Sequence, residues 1–371
     1  MQQLQLGKGD IRQLRLLDGD AQAELGEGEI RVRVEAFAFS ANNVTYAAAG
    51  HTLGYWKFFK PVATGDGDGS DYDDVNGWGV LPCWGFAEVV ETNAADLPLG
   101  ERFYGYFPTA QELVMKPVHI KEGSFIDGAE HRSELPPGYN FYRRVAAEPG
   151  YDRATDELRM LLAPLYITSF CLWDLLQDNN WYGAKQVLIV SASSKTSFGL
   201  AYALKDDADA PSVVGLTSSR NVGFVEGVGL YGSTVSYKDI ASLDANVPAV
   251  IVDMSGNADT MGALHAHFGD ALVRSIDVGL THWDEPRRNE QVNREKSQFF
   301  FAPSHIQHRI KEWGAAEFDK RSGSFMMKTA QKSMDWLKLI DVEGLEGLSK
   351  VYPDVCEGKL PADQGLIVRM C

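Results

Sequence analysis

The spacing of hydrophobic and polar positions changes character along the chain. Up to about residue 120, short segments alternate inward and outward between glycines. Glu29–Ala36 (EIRVRVEA) has period two, and Gly85–Glu91 (GFAEVVE) and Arg102–Tyr106 read as further strands. This pattern predicts an antiparallel, barrel-like β domain. From about Asp156 the period becomes helical, with apolar residues at helix spacing over Asp156–Gln177. Strand and helix then alternate. Apolar runs at Gln186–Val190, Ser212–Leu216, Ser233–Tyr237, Ala249–Val252 and Leu272–Val278 are separated by helix-length segments. Fully apolar strands alternating with helices predict a parallel, doubly wound sheet covered on both faces. After Thr281 the chain turns polar, then offers FFFAPSHIQHRI, a helix near Lys328–Leu339, and a tail ending in GLIVRMC. That tail has β character and is expected to return to the first domain. The division is therefore 1–155, 156–295 and 296–371, in the α/β class.

One stretch carries the most chemistry. Gln186–Leu204 (QVLIVSASSKTSFGLAYAL) reads as a buried strand, a tight turn of small polar residues, and a helix opening at Gly199. Backbone N–H groups and a helix N-terminus gathered at one point hold phosphate well. Ser191, Ser193, Ser194, Lys195, Thr196 and Gly199 are the candidates. The second strand ends in Thr217, followed by Ser218, Ser219 and Arg220. In dinucleotide-binding sheets a carboxylate here binds the ribose 2′-hydroxyl of NAD, whereas hydroxyls and an Arg suit the 2′-phosphate of NADP. No acid stands at Leu216–Arg220, and a guanidinium can bind phosphate with two hydrogen bonds at once. NADPH is the expected cofactor. Tyr237 closes the third strand, Ser255 and Gly256 follow the fourth, and Gly279 and Thr281 follow the fifth. A rival reading is a degenerate P-loop, from Ser194-Lys195-Thr196 and the later Asp253. Both glycines that such a loop needs are replaced by larger residues, which weakens it.

Charge and composition narrow the classes. The 371 residues carry 35 Lys+Arg against 51 Asp+Glu, a formal charge of −16. Nucleic acid and anionic membranes both call for concentrated positive charge, so neither is expected as a partner. The sequence has no apolar run of about 18 residues, and MQQLQLGKGDIRQ has no signal-like apolar region. The four cysteines (Cys83, Cys171, Cys356, Cys371) are dispersed, as expected of reduced thiols in a cytoplasmic protein. The acidic loop Gly65–Gly79 (GDGDGSDYDDVNGWG) has Asp71 and Gly77 where a calcium loop needs Gly and Glu. His265 with His267, and His305 with His308, are more readily surface or core histidines than ligands.

These segments resemble the medium-chain dehydrogenase/reductases, in their zinc-free quinone oxidoreductase-like branch, over nearly the whole length as scattered motifs. Glu27–Gly50 is similar to the opening barrel strands and the Asn-containing turn of that family. Gly85–Tyr106 resembles its G-x-V-x-x-V … G-D-R-V-x-G segment, Leu161–Gly199 its helix and first strand, and Asp363–Val368 its closing strand. Phe299–Ser304 resembles the strand lining the nicotinamide pocket, which makes Phe301 a candidate. More narrowly, the SASSKT turn resembles a bacterial subfamily of unknown activity, DUF2855-like. The resemblance implies a GroES-like β-barrel domain, a Rossmann domain and a cofactor cleft between them. It also implies a possible homodimer. It departs from the zinc-dependent members: Asn42-Asn43 stands near the first ligand position, and His51 has no Glu after it. There is also no cysteine cluster. The turn is also about two residues longer than the usual loop. Without a metal, hydride transfer to a quinone or enone needs positioning and a hydrogen-bond donor for the developing oxyanion. The resemblance makes Tyr46 and Asn43 the catalytic candidates and Tyr55, Trp56, Phe58 and Phe59 possible pocket walls. The rival class is a non-catalytic NADPH-binding protein with a structural or regulatory role.

Overall fold

The strand Gln186–Val190 lies at the centre of a six-stranded sheet in which every pairing is parallel. In this computed structural model, residues 1–19, 24–62, 77–278 and 289–370 are described. Most of the acidic segment Gly65–Gly79, and the candidates Gly279 and Thr281, lie outside the described residues. Across the sheet the order is Ser233–Ser236, Ser212–Thr217, Gln186–Val190, Ala249–Asp253, Leu272–Val278, Ser297–Phe300. The chain therefore works outward to one edge, returns to the centre, and works outward to the other. Strand order reverses between Gln186–Val190 and Ala249–Asp253, and ligands of open parallel sheets bind at the carboxyl ends near such a point.

The apolar runs are continuous because both faces are covered. Val187, Ile189, Val213, Val250, Val252 and Ile276 pack in one cluster with Phe170, Leu176 and Phe198. Their alternates Leu188, Val190, Val214, Leu216 and Ile251 pack with Met261, Leu264 and Phe268 of the helix Ala258–Phe268. This unit is Leu162–Trp336. It retains the strand Ser297–Phe300 and the helices Ala302–Trp313 and Ala315–Ser333.

The other unit is Met1–Leu161 with Leu337–Cys371. Ile30–Phe39 pairs antiparallel with Pro82–Thr92, which pairs antiparallel with Arg102–Pro108. On the other side of Ile30–Phe39 lies Gln364–Arg369, also antiparallel, with Lys338–Glu343 parallel beside it. Pairing thus brings the C-terminal tail onto the first β segment. The helix expected near Lys328–Leu339 is displaced: a helix ends at Ser333, and Lys338–Leu339 begin a strand whose residues alternate in burial only weakly. One helical stretch, Arg153–Asp178, is long and apolar enough to cross a membrane by length and composition, although no such run was expected from sequence. Most of its apolar window (61%) is buried inside the fold, the environment of a core helix.

Candidate functional site

The turn after Gln186–Val190 resolves its missing glycine directly. Ser191 takes the left-handed conformation with φ 65°, which a glycine would adopt freely. Its N–H donates to the Tyr237 hydroxyl at 3.0 Å. Ala192 is fixed on both sides: its N–H donates to Leu216 O at 2.8 Å, and its carbonyl accepts from the Tyr231 hydroxyl at 2.8 Å. The helix opens earlier than expected, spanning Lys195–Asp206. Ser194 is its N-cap, and the Ser194 Oγ accepts from the Ser197 N–H at 3.1 Å. Lys195 and Thr196 therefore occupy the first helical turn, where backbone N–H groups face outward. Gly199 lies one turn inside. A Cβ there would meet Ser169 Oγ at 2.4 Å and Tyr166 Cδ1 at 2.6 Å. It serves the close approach of two helices, where close packing of helix on strand was expected.

The end of Ser212–Thr217 is lined with hydroxyls. Thr217 Oγ1 donates to Ser193 Oγ at 3.2 Å, and Asn221 Nδ2 donates to the same oxygen at 3.0 Å. The hydroxyls of Ser219 and Ser236 are bonded at 2.8 Å. The Ser218 Oγ is buried with no hydrogen-bond partner among the described residues, which is unusual for a buried polar atom. Beside them lies a cavity of about 550 Å³ lined by Ser219, Val222, Thr234, Ser236 and Asp239. Arg220 is exposed on the adjoining single turn Ser219–Asn221. The hydroxyl pair Ser219–Ser236 and the adjacent Arg220 are chemically suited to a phosphorylated ribose. Sequence reasoning missed Ser236, which lies inside the run Ser233–Tyr237, and Asn221 and Asp239, which lie just beyond the strand ends. Asp239 puts a carboxylate at the cavity wall.

After Ala249–Asp253, the Asp253 Oδ1 accepts from the Ser255 N–H at 2.8 Å and the Ser255 hydroxyl at 2.7 Å. The Gly256 N–H reaches both carboxylate oxygens at 3.2 and 3.3 Å. Gly256 has φ 61°, so the turn needs its glycine. The Ser255 hydroxyl is thus spent inside the turn. Asp277, at the end of Leu272–Val278, is in register with Asp253. Burial, then the Asp253 charge, raises the Asp277 pKa to about 6. No sequence signal singled it out, because the pairing is visible only once register is known. Phe301 caps the helix Ala302–Trp313 and stacks on Phe299.

In the β unit, Asn43 and Tyr46 share the helix Ala41–Ala48. Asn43 has structural partners. Its Oδ1 accepts from the Ser40 N–H at 2.9 Å in a capping box, and its Nδ2 donates to Pro82 O at 3.1 Å. These two bonds use the amide oxygen and one of the two Nδ2 hydrogens. Tyr46 Oη accepts from the Trp84 indole N–H at 3.3 Å, with the Asn42 and Tyr106 side chains also in hydrogen-bonding reach. Burial pushes its pKa up, so it stays neutral. Tyr55, Trp56, Phe58 and Phe59 are all buried.

Among the described residues, no three His, Cys, Asp or Glu side chains gather as metal ligands. The expected histidine pairs are engaged in structure. His265 Nδ1 accepts from the Asn293 N–H at 3.0 Å, His267 Nε2 is 2.9 Å from Leu243 O, and His305 Nε2 is 2.6 Å from Asp174 Oδ2.

Solved structures share this fold over its whole length. CurA from Vibrio vulnificus in complex with NADPH is 13% identical with a TM-score of 0.61, covering 100% of this chain and 99% of that one. The CurF ER cyclopropanase from the curacin A biosynthetic pathway is 14% identical at 0.59, with the same coverage. The quinone oxidoreductase from Coxiella burnetii is 14% identical at 0.55, again covering 100% and 99%. The fold is thus that of the medium-chain dehydrogenase/reductases, a GroES-like β unit joined to a Rossmann unit. No curated protein matches the sequence. A family model does match residues 37–361, and the chain belongs to the family described as "Protein of unknown function (DUF2855)".

Proposed function

We propose that this chain binds NADPH in its parallel-sheet unit and reduces a quinone- or enone-like small molecule without a metal. The observation that supports the reading is the hydroxyl-rich edge of the sheet: the Ser191–Thr196 turn, the Ser219–Ser236 hydroxyl pair at the cavity, and the exposed Arg220 that follows Ser219. NADPH, when bound, supplies the hydride. The chain's own residues hold and orient. The N-terminal turn of the helix Lys195–Asp206 faces the pyrophosphate, with the Lys195 side chain adding positive charge. Arg220 and the serine hydroxyls take the 2′-phosphate. Tyr46 donates to the carbonyl oxygen as negative charge grows there, and the proton that completes the reduction comes from solvent.

A second reading follows from Asp239. A carboxylate on the cavity wall suits a ribose 2′-hydroxyl and repels a phosphate, which favours NADH. The test of the enzymatic claim is NADPH consumption against a panel of quinones, enones and aldehydes. Turnover with quinones or enones, unaffected by a metal chelator, supports the proposal. Tight NADPH binding with no turnover on any member favours the non-catalytic reading instead.

A further inference from the structure

The β unit has a cavity of its own, of about 450 Å³, with four arginines and four carboxylates in its wall. Antiparallel pairing builds one side of it. Arg102, Glu88 and Arg33 stand opposite one another on Arg102–Pro108, Pro82–Thr92 and Ile30–Phe39, so a row of alternating charge crosses three strands. Glu35 lies two residues beyond Arg33, and Arg369 enters from Gln364–Arg369, opposite Ala36. Asp156 and Glu157 come from the first turn of the helix Asp156–Asp178, and Arg153 from the single turn before it.

Only part of this charge is satisfied internally. Arg102 is fully engaged: its Nε donates to Glu35 at 2.5 Å, its Nη2 to Asp156 at 2.7 Å, and its Nη1 to the Tyr151 hydroxyl. Arg33 reaches Glu88 through one nitrogen at 3.4 Å, and Arg153 reaches Glu35 through one at 3.7 Å. The other guanidinium nitrogens of Arg33 and Arg153, and Nη1 of Arg369, have no partner among the described residues. The same holds for one carboxylate oxygen on each of Glu35, Glu88 and Glu157. Donors and acceptors are thus both left over in one wall.

A small molecule carrying both charges satisfies both sets. A simple anion meets the repulsion of a chain at −16, and a simple cation meets that of four guanidiniums. Opposite charges on one ligand escape both penalties, and a guanidinium can take a carboxylate with two parallel hydrogen bonds. Met160, Met370 and Ala36 add apolar surface, and the volume lies in the range of small-molecule sites, roughly 300–1,000 Å³. We propose that this cavity binds a zwitterionic α-amino acid with an apolar side chain. Its carboxylate is held by Arg33 and Arg153, and its ammonium by Glu35 and Glu157. Every residue of this site belongs to the β unit, so it stands or falls independently of NADPH binding in the parallel-sheet unit.

The experiment is calorimetric titration of the full chain with L-leucine, L-methionine and L-phenylalanine. Two part-probes accompany leucine: isocaproate, which lacks the ammonium, and isopentylamine, which lacks the carboxylate. At least one amino acid is expected to bind saturably at millimolar concentration or below, and both part-probes about tenfold or more weakly than leucine. Arg153 is 73% exposed and has a single contact, so Arg153→Ala should melt like the wild type. It should still lose about three- to tenfold in amino-acid affinity. Glu157→Gln should weaken leucine similarly and leave isocaproate unchanged. Arg321→Ala, an exposed arginine of the parallel-sheet unit, should change nothing. No saturable binding of any of the three amino acids, or isocaproate binding as tightly as leucine, overturns the proposal. Undiminished amino-acid affinity in Arg153→Ala overturns it as well. NADPH affinity should be equal in the wild type and Arg153→Ala; a loss there would overturn the independence of the two sites.

Discussion

Replacing Asp277 with Asn should stabilise the protein, and only above acidic pH. Asp277 and Asp253 are opposed on neighbouring parallel strands, whose backbones run about 4.8 Å apart. Asp253 has its turn of N–H and O–H donors, whereas Asp277 has the Ser275 hydroxyl at 3.3 Å. Burial and the facing charge raise Asp277 from 3.8 to about 6 in the folded chain. The sign follows from linkage. Between these values the unfolded chain gives up its proton first, so ionisation favours unfolding. The penalty begins near pH 4, grows until about pH 6, and is constant above. Two pH units correspond to about 3 kcal/mol, and partial exposure of the side chain lowers this to about 1–3 kcal/mol. Asn keeps the shape and removes the charge. Urea unfolding at pH 8 should show Asp277→Asn more stable by that amount with an unchanged m-value, the gain shrinking toward zero by pH 4. A gain independent of pH, or a loss at pH 8, would refute the reasoning.

Other substitutions probe separate parts of the structure. Gly199→Ala should lose about 1–3 kcal/mol in a denaturant melt, because the new methyl meets Ser169 and Tyr166; an unchanged midpoint would mean the helices are not so close. His265 is held neutral by burial, its pKa lowered to about 4. Stability that it carries above pH 6.5 should therefore drain away as pH falls toward 4, by about 2–3 kcal/mol, and His265→Leu should flatten that slope. Arg132 and Asp127 form a buried ion pair. Arg132→Met alone should lose about 3–5 kcal/mol by stranding the carboxylate, and the double change with Asp127→Leu should recover most of it; equal losses in both would count against the pairing.

The parallel sheet is legible in sequence because its central strands, Gln186–Val190 and Ala249–Asp253, are buried on both faces. Gln186–Val190 ends where expected, since an apolar run bounded by polar residues leaves little choice. The helix after the first strand was read too late. Gly199 drew attention as a glycine, while the start is set by the Ser194 hydroxyl capping Ser197. The likeness of Ser191 to a glycine is invisible in sequence, because left-handed serine is imposed by the surrounding bonds. Asn43, singled out by its position in a motif, also ties the start of its helix to Ser40 and to Pro82, which periodicity does not report. Ser236 and Asp277 escape notice for one reason. Their significance comes from neighbours far along the chain, which periodicity does not report.

The most direct test of the central claim is a fluorescence titration of the wild type and Arg220→Ala with NADPH and with NADH. The account expects NADPH to bind at least about tenfold more tightly to the wild type, and the ratio to collapse in Arg220→Ala. Equal affinities in the wild type, or a ratio unmoved by the substitution, would contradict it.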